Sequence, residues 1–466
     1  MEVHDLEFLF HPDSIAIVGI TTDPDDLRRQ RFLKPLLDFG FGGRLYLVNA
    51  KGGEIMGLKV YPSLQDIPGT VDYVILSVPA ELSVAVMKDC IVKGVKAVAV
   101  YSAGFGEVGT EEGDALEGEI VRIARKGGIR VIGPNCLGLH CAKSRLTYRS
   151  EYPKESGPVA FLSQSGGNTT HLVQMAAPRG VRFSKIISYG NGRDLNESDF
   201  LDYLAHDPET EIIAVYIEGV KDGRQFIRTL RNAARAKPVI LLKGGCGEAG
   251  VRAAAGHTGA LAGDDITWNG LCKQLGVVQV YSIEELADLM VSFLFFPLPK
   301  GRKMALVGVG GGASVLACDA CTNSGMVLPP IPEHIKKRLL QFTPLAGSIL
   351  NNPVDTPSIF QVPQFIETVK TVTSWEEIDY LITFLLSADI FPSYLGRYEQ
   401  AANGVLQSSK ICSKPVAIVL QDASHPETFE KTFLAQQRLT SAGFPVYPTI
   451  ARAVSAINKF LAYHRQ

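Results

Sequence analysis

The chain has 466 residues and a mass of 50.5 kDa, which at about 150 residues per domain predicts three domains. Hydrophobic residues make up 46% and charged residues 20%, which excludes long disorder. Forty-six basic against 48 acidic residues leave a net charge of −2, with no sign of a strongly basic nucleic-acid surface.

Short β-branched runs alternate with helical patterns along the chain. In the first third, strands are predicted over 15–19, 45–48, 73–78, 97–101 and 130–132, each a continuous apolar run suited to a strand covered on both faces. The connections carry helix patterns, such as 82–94. This predicts βαβ units around a parallel sheet, a doubly wound domain over 1–150.

A second series, 151–297, has predicted strands at 159–162, 185–188, 212–217, 239–242 and 277–280. It closes with a helix that Ser282 and Glu285 cap as a box, with Ile283, Leu286, Met290 and Phe293 at helical spacing. The stretch Phe296-Pro-Leu-Pro-Lys-Gly301 reads as a linker. A third series, 298–466, has strands at 304–309, 380–386, 415–420 and 444–447 and a last helix over 451–463.

The N-terminus, MEVHDLEFLFHPDS, has no basic region followed by an apolar core, and no apolar run reaches the roughly 18 residues of a membrane span. The eight cysteines show no repeating spacing, which argues against a disulfide framework. Cys318 and Cys321 have redox-like spacing but lie in an apolar helical stretch, and read as buried thiols. The expected compartment is the cytoplasm.

Ligands of open α/β sheets bind at the carboxyl ends of strands, so the turns there are the candidate sites. In the first domain these hold Gly19 and Thr21, then Lys51, then Val78 and Pro79, then Ser102, Ala103, Gly104 and Phe105. Together they would line one groove for a long, partly phosphorylated ligand, with Lys51 as a point charge. The first turn is not GxGxxG, so a dinucleotide fingerprint is missing. The last strand runs into Gly133-Pro-Asn135-Cys136-Leu-Gly138; Cys136 is open as a nucleophile but has no base beside it in sequence.

Two turns look receptive to anions. Ser163-Gln164-Ser165-Gly166 and Gly310-Gly311-Gly312-Ala-Ser314 each join a strand to a helix start, where free N–H groups and the helix dipole favour phosphate. Between them, Gly256-His257-Thr-Gly-Ala-Leu-Ala-Gly263 is a small-residue loop with one central histidine. Such a residue can approach ligands closely, and neutral imidazole is a competent nucleophile near pH 7. The other histidines show no metal spacing.

On these segments the chain resembles the alpha subunit of the ADP-forming acyl-CoA synthetases, relatives of succinyl-CoA synthetase. The stretch 256–263 resembles that family's phosphohistidine loop, and 133–138, 162–167 and Asn352-Pro-Val-Asp355 are similar to its other motifs. The resemblance implies a Rossmann-like CoA-binding domain followed by two flavodoxin-like domains. It implies the reaction acyl-CoA + ADP + phosphate ⇌ carboxylate + CoA + ATP, through an acyl phosphate and a phosphohistidine at His257, with Glu218 as the carboxylate facing the imidazole. CoA would occupy the groove of the first domain, including Asn135 and Cys136. Nothing in the chain resembles an ATP-grasp domain, so ADP/ATP and Mg²⁺ are expected on a separate ATP-grasp beta subunit, in an α2β2 heterotetramer acting on a small carboxylic acid. No nucleic acid or membrane partner is expected. The competing readings are a non-catalytic CoA-binding regulatory or scaffold protein on the same fold, and a nicotinamide enzyme, which the missing GxGxxG disfavours.

Overall fold

A computed structural model describes residues 6–21, 23, 30–247, 249–250, 265–308, 310–343, 346–387, 389 and 396–465. The chain builds three sheets and clusters by contacts into two compact units. The first comprises residues 1–174 and 182–286, the second 175–181 and 287–466.

The first unit holds two sheets. Sheet one has the order β3-β4-β2-β1-β5-β6-β7, from β1 (Ser14–Val18), β2 (Arg44–Val48), β3 (Gly53–Ile55), β4 (Leu58–Tyr61), β5 (Tyr73–Leu76), β6 (Ala97–Val100) and β7 (Arg130–Ile132). All neighbours are parallel except β3 and β4. Apolar strands fill this core, and Val74, Leu76, Val98, Val100 and Val131 are fully buried under the helices that cover both faces. Helices on both sides are what continuous apolar strands require. β2 and β5 lie on opposite sides of β1, so the strand order reverses there. That reversal opens a crevice at the carboxyl ends of β1 and β5.

The second sheet runs β13-β12-β11-β9-β10-β8, from β8 (Gly138–His140), β9 (Val159–Ser163), β10 (Phe183–Ser188), β11 (Ile212–Ile217), β12 (Val239–Lys243) and β13 (Val278–Val280). Here β10 and β11 flank β9, so the switch lies at the ends of β9 and β11. The antiparallel β8 pairs with β10.

The second unit carries the third sheet, β15-β16-β14-β17-β18-β19, from β14 (Met304–Gly308), β15 (Ile349–Leu350), β16 (Val354–Asp355), β17 (Tyr380–Leu385), β18 (Val416–Leu420) and β19 (Val446–Tyr447). Buried Asp288 ties this unit together by pairing with Arg179 at 2.7 Å and with Arg452 at 2.6 Å.

No strand is predicted between β2 and β5, where the structure forms a β3–β4 hairpin whose two-residue turn places Met56 at φ 51° and Gly57 at φ 79°. Left-handed backbone at both positions fits a type I′ turn, and methionine there hides the usual Asn-Gly signal. At the start of helix Ile283–Phe295, the Ser282 hydroxyl accepts the Glu285 N–H at 3.2 Å, and the Glu285 carboxylate accepts the Tyr281 N–H at 3.0 Å. Among the described residues, no helix is long and apolar enough to cross a membrane.

Candidate active site

A cavity of about 390 Å³ opens at the crevice between β1 and β5. Gly19, Thr21, Val78, Pro79 and Ser102 line it, as the sequence predicts. Gly19 sits at φ +93°, and a Cβ there would lie 2.5 Å from the Ser77 carbonyl oxygen, so only glycine lets the turn pass so close to β5. The Asn49 amide donates to the Ile20 carbonyl at 2.7 Å and holds the first turn in place. Lys51 is on the exposed turn after β2, where its side chain lines neither this cavity nor the next.

A second cavity, about 650 Å³, adjoins the first at Tyr101. Ala103, Asn135, Cys136, Gln164 and Gly166 line it, so the structure brings the ends of β6, β7 and β9 together. Gly104 and Phe105 shape this loop from below. Their N–H groups donate to the Glu107 carboxylate at 2.6 and 3.1 Å, and the Phe105 ring is fully buried in the core. Asn191 then donates one amide nitrogen to Glu107 at 2.6 Å and to Glu117 at 2.7 Å, fixing the loop to the segment after β10.

Cys136 is buried, and its thiol donates to the Val100 and Ile132 carbonyls. Burial pushes its pKa up to about 12. The thiolate is then scarce at neutral pH, which removes the nucleophile reading. The eight cysteines are free; the Cys321 thiol is likewise pushed up to about 12 by burial, and that of Cys318 is raised.

The turn after β9 feeds helix Gly166–Ala176. The Ser163 hydroxyl is spent inside it, donating to the Ser165 carbonyl at 2.9 Å. The Ser165 hydroxyl accepts the Asn168 N–H at 3.3 Å and keeps a proton to donate. Gln164 plays a part its sequence context does not reveal. Its carboxamide oxygen accepts the N–H groups of both Glu218 and Gly219, at the end of β11. Glu218, buried, takes a hydrogen bond from the Tyr216 hydroxyl at 3.0 Å, and Lys243 Nζ donates to its carbonyl at 2.7 Å. The predicted carboxylate therefore stands beside the predicted anion turn. His257 lies outside the described residues.

The turn after β14 is different. The Gly310 N–H donates to the Asp355 carboxylate at 2.8 Å, and the Ser314 hydroxyl donates to the Gly310 carbonyl at 3.1 Å. Asp355 therefore supplies the negative charge that helix Gly311–Asn323 favours at its start, beside Gly311 and Gly312. Asn352 pins β14 instead of facing a ligand, with its amide donating to the Met304 carbonyl at 2.8 Å.

Three side chains at the cavities escaped sequence reasoning. Arg31 donates to the Tyr101 hydroxyl in the first cavity, and Arg149 and His171 line the second. None belongs to a motif; only the fold brings them to the strand ends. Among the described residues, no group of three or more His, Cys, Asp or Glu side chains is placed to hold a metal ion.

Comparison with known proteins agrees with this geometry. Residues 13–142 match the family described as CoA binding domain, and 156–293 match the succinyl-CoA ligase like flavodoxin domain. The chain is 36% identical to the ADP-forming acetate–CoA ligase II subunit alpha of Pyrococcus furiosus, over 95% of this chain and 94% of that one. It is 34% identical to the ADP-forming acetate–CoA ligase I of Archaeoglobus fulgidus, over 99% of this chain but 64% of that protein. The structure of a Ca. Korarchaeum cryptofilum acetyl-coenzyme A synthetase 1, in complex with phosphate and ADP, superposes with a TM-score of 0.81 at 34% identity, covering 99% of this chain and 97% of that one. The chain belongs to the alpha-subunit family of the ADP-forming acyl-CoA synthetases.

Proposed function

We propose that this chain catalyses the acyl-transfer and phosphoryl-relay half of an ADP-forming acyl-CoA synthetase. The observation that carries the reading is the Gln164 clamp: one side chain belongs to the anion turn after β9, lines the 650 Å³ cavity and fixes the backbone of Glu218. CoA runs from the first cavity past Tyr101, so that its thioester reaches the second. The narrow glycine turn at Gly19 and the polar groups of Ser102 and Asn49 suit an extended, polar ligand of that kind.

The chemistry follows from the placement. A phosphate oxygen attacks the thioester carbonyl carbon, and the CoA thiolate leaves. Ser165 and the first N–H groups of helix Gly166–Ala176 stabilise the charge on the phosphoryl oxygens. The imidazole of His257 then attacks phosphorus, and the carboxylate leaves. Glu218 accepts the hydrogen bond of the other ring nitrogen and supports the phosphorylated ring. Last, the terminal oxygen of ADP attacks phosphorus and the imidazole leaves. Nucleotide and Mg²⁺ belong to an ATP-grasp beta subunit, in an α2β2 assembly in the cytoplasm; the metal would neutralise nucleotide phosphates there. The Pyrococcus furiosus relative is named a subunit alpha, which supports a separate partner chain.

The test is co-expression with the beta subunit and a screen of carboxylic acids for CoA-dependent ADP formation from ATP. ADP formation that needs both CoA and an acid supports the reading. CoA binding without turnover across the panel favours the non-catalytic alternative.

A further inference from the structure

The second cavity is more polar than a two-carbon acyl group requires. At about 650 Å³ it falls in the range of pockets that hold drug-sized ligands. Among the described residues no carboxylate lines it, whereas Arg149 and His171 both do. The backbone of Arg149 is fixed on both sides by Thr147, whose hydroxyl accepts the Arg149 N–H at 3.2 Å and donates to the Arg149 carbonyl at 3.1 Å. The side chain forms no ion pair with the described residues. Arg149 stands at the border of this cavity and of a smaller one that Glu151 lines, and a cation without an ion pair among the described residues is poised for an oxygen that arrives with the ligand.

Helix Gly166–Ala176 sets the distances. Gly167, His171 and Gln174 fall at spacings of three to four residues, so one stripe of the helix faces the cavity. With a rise of 1.5 Å per residue, His171 lies about 7.5 Å and Gln174 about 12 Å along the axis from Gly166. The reacting carbonyl belongs at the Gly166 end, where the phosphate is held. The far end of an acyl chain running along this helix therefore meets polar groups. A purely aliphatic chain would strip them of water and give nothing back.

We propose that the acyl substrate is longer than acetate and carries a second oxygen at its distal end, a carboxylate or a hydroxyl, which Arg149 and His171 recognise. The inference rests on the synthetase reading above. Its test is calorimetric titration of the full chain with CoA, acetyl-CoA, butyryl-CoA, succinyl-CoA and 4-hydroxybutyryl-CoA. At least one oxygen-bearing thioester is expected to bind tenfold or more tighter than butyryl-CoA, which has the same acyl length. A preference for succinyl-CoA identifies a carboxylate, and one for 4-hydroxybutyryl-CoA a hydroxyl. Arg149→Ala should abolish the preference while leaving the affinity for CoA itself within twofold, and His171→Ala, at an exposed position, should reduce it. Unchanged CoA affinity shows that either variant is folded. If CoA binds but butyryl-CoA binds as tightly as both, or the preference survives Arg149→Ala and His171→Ala, the inference is overturned and the synthetase reading stands. If CoA does not bind, both fall.

Discussion

The carboxamide oxygen of Gln164 accepts the backbone N–H of Glu218, and at 3.1 Å that of Gly219. One side chain from the turn after β9 thereby fixes the end of β11, the two strands between which the second sheet reverses direction. A Gln164→Leu protein leaves two buried donors unpaired, at a cost of about 1–3 kcal/mol each. We expect a lower urea midpoint and, because Glu218 loses its anchor, at least a tenfold fall in phosphoryl transfer to His257.

Cys136 gives the opposite expectation. Its thiol is buried and its pKa lies near 12. Cys136→Ala should keep turnover within about threefold, since only a small side chain is lost. Iodoacetamide at pH 7.5 should leave Cys136 unmodified in the folded protein, as peptide mass spectrometry would read directly.

The bridge from Asn191 to Glu107 and Glu117 holds the loop that carries Ala103 into the second cavity. Removing the amide in Asn191→Ala leaves two buried carboxylates without their shared donor, which costs roughly 2–4 kcal/mol. Steady-state kinetics should show a KM for CoA raised several-fold with a smaller change in kcat, because the loop is loosened and the phosphate turn is untouched.

Glu197 begins helix Glu197–His206 and is buried. Burial raises its pKa from 4.5 to about 7. A raised carboxyl pKa stabilises the fold below about pH 4.5, and that contribution is lost as pH rises through about 7, at a cost of roughly 3 kcal/mol above it. Glu197→Gln should therefore raise the denaturation midpoint at pH 8 and change it little at pH 4.5. Urea melts at the two pH values check the sign.

Much of this molecule is legible in its sequence, for a physical reason. Strands covered on both faces must be continuous apolar runs, so β1, β5, β9 and β11 announce themselves, and ligand turns follow them by topology. Gly19, Val78 and Ser102 are found in this way. Short edge strands lack such a signal: β15 and β16 have two residues each, and the β3–β4 hairpin hides its turn behind Met56. Side chains that reach a site from between motifs are equally silent. Arg149 and His171 become visible only when the fold brings β6, β7 and β9 to one cavity, and the reuse of Gly310 by Asp355 only when β16 pairs beside β14.

The central claim is a phosphoryl relay through His257. It is tested most directly by incubating the complex of this chain and its beta subunit with [γ-³²P]ATP, without acid or CoA. The account predicts acid-labile, alkali-stable label on this chain, lost in His257→Ala and chased into ATP by ADP. Histidine-bound label that persists in the His257→Ala protein would contradict it.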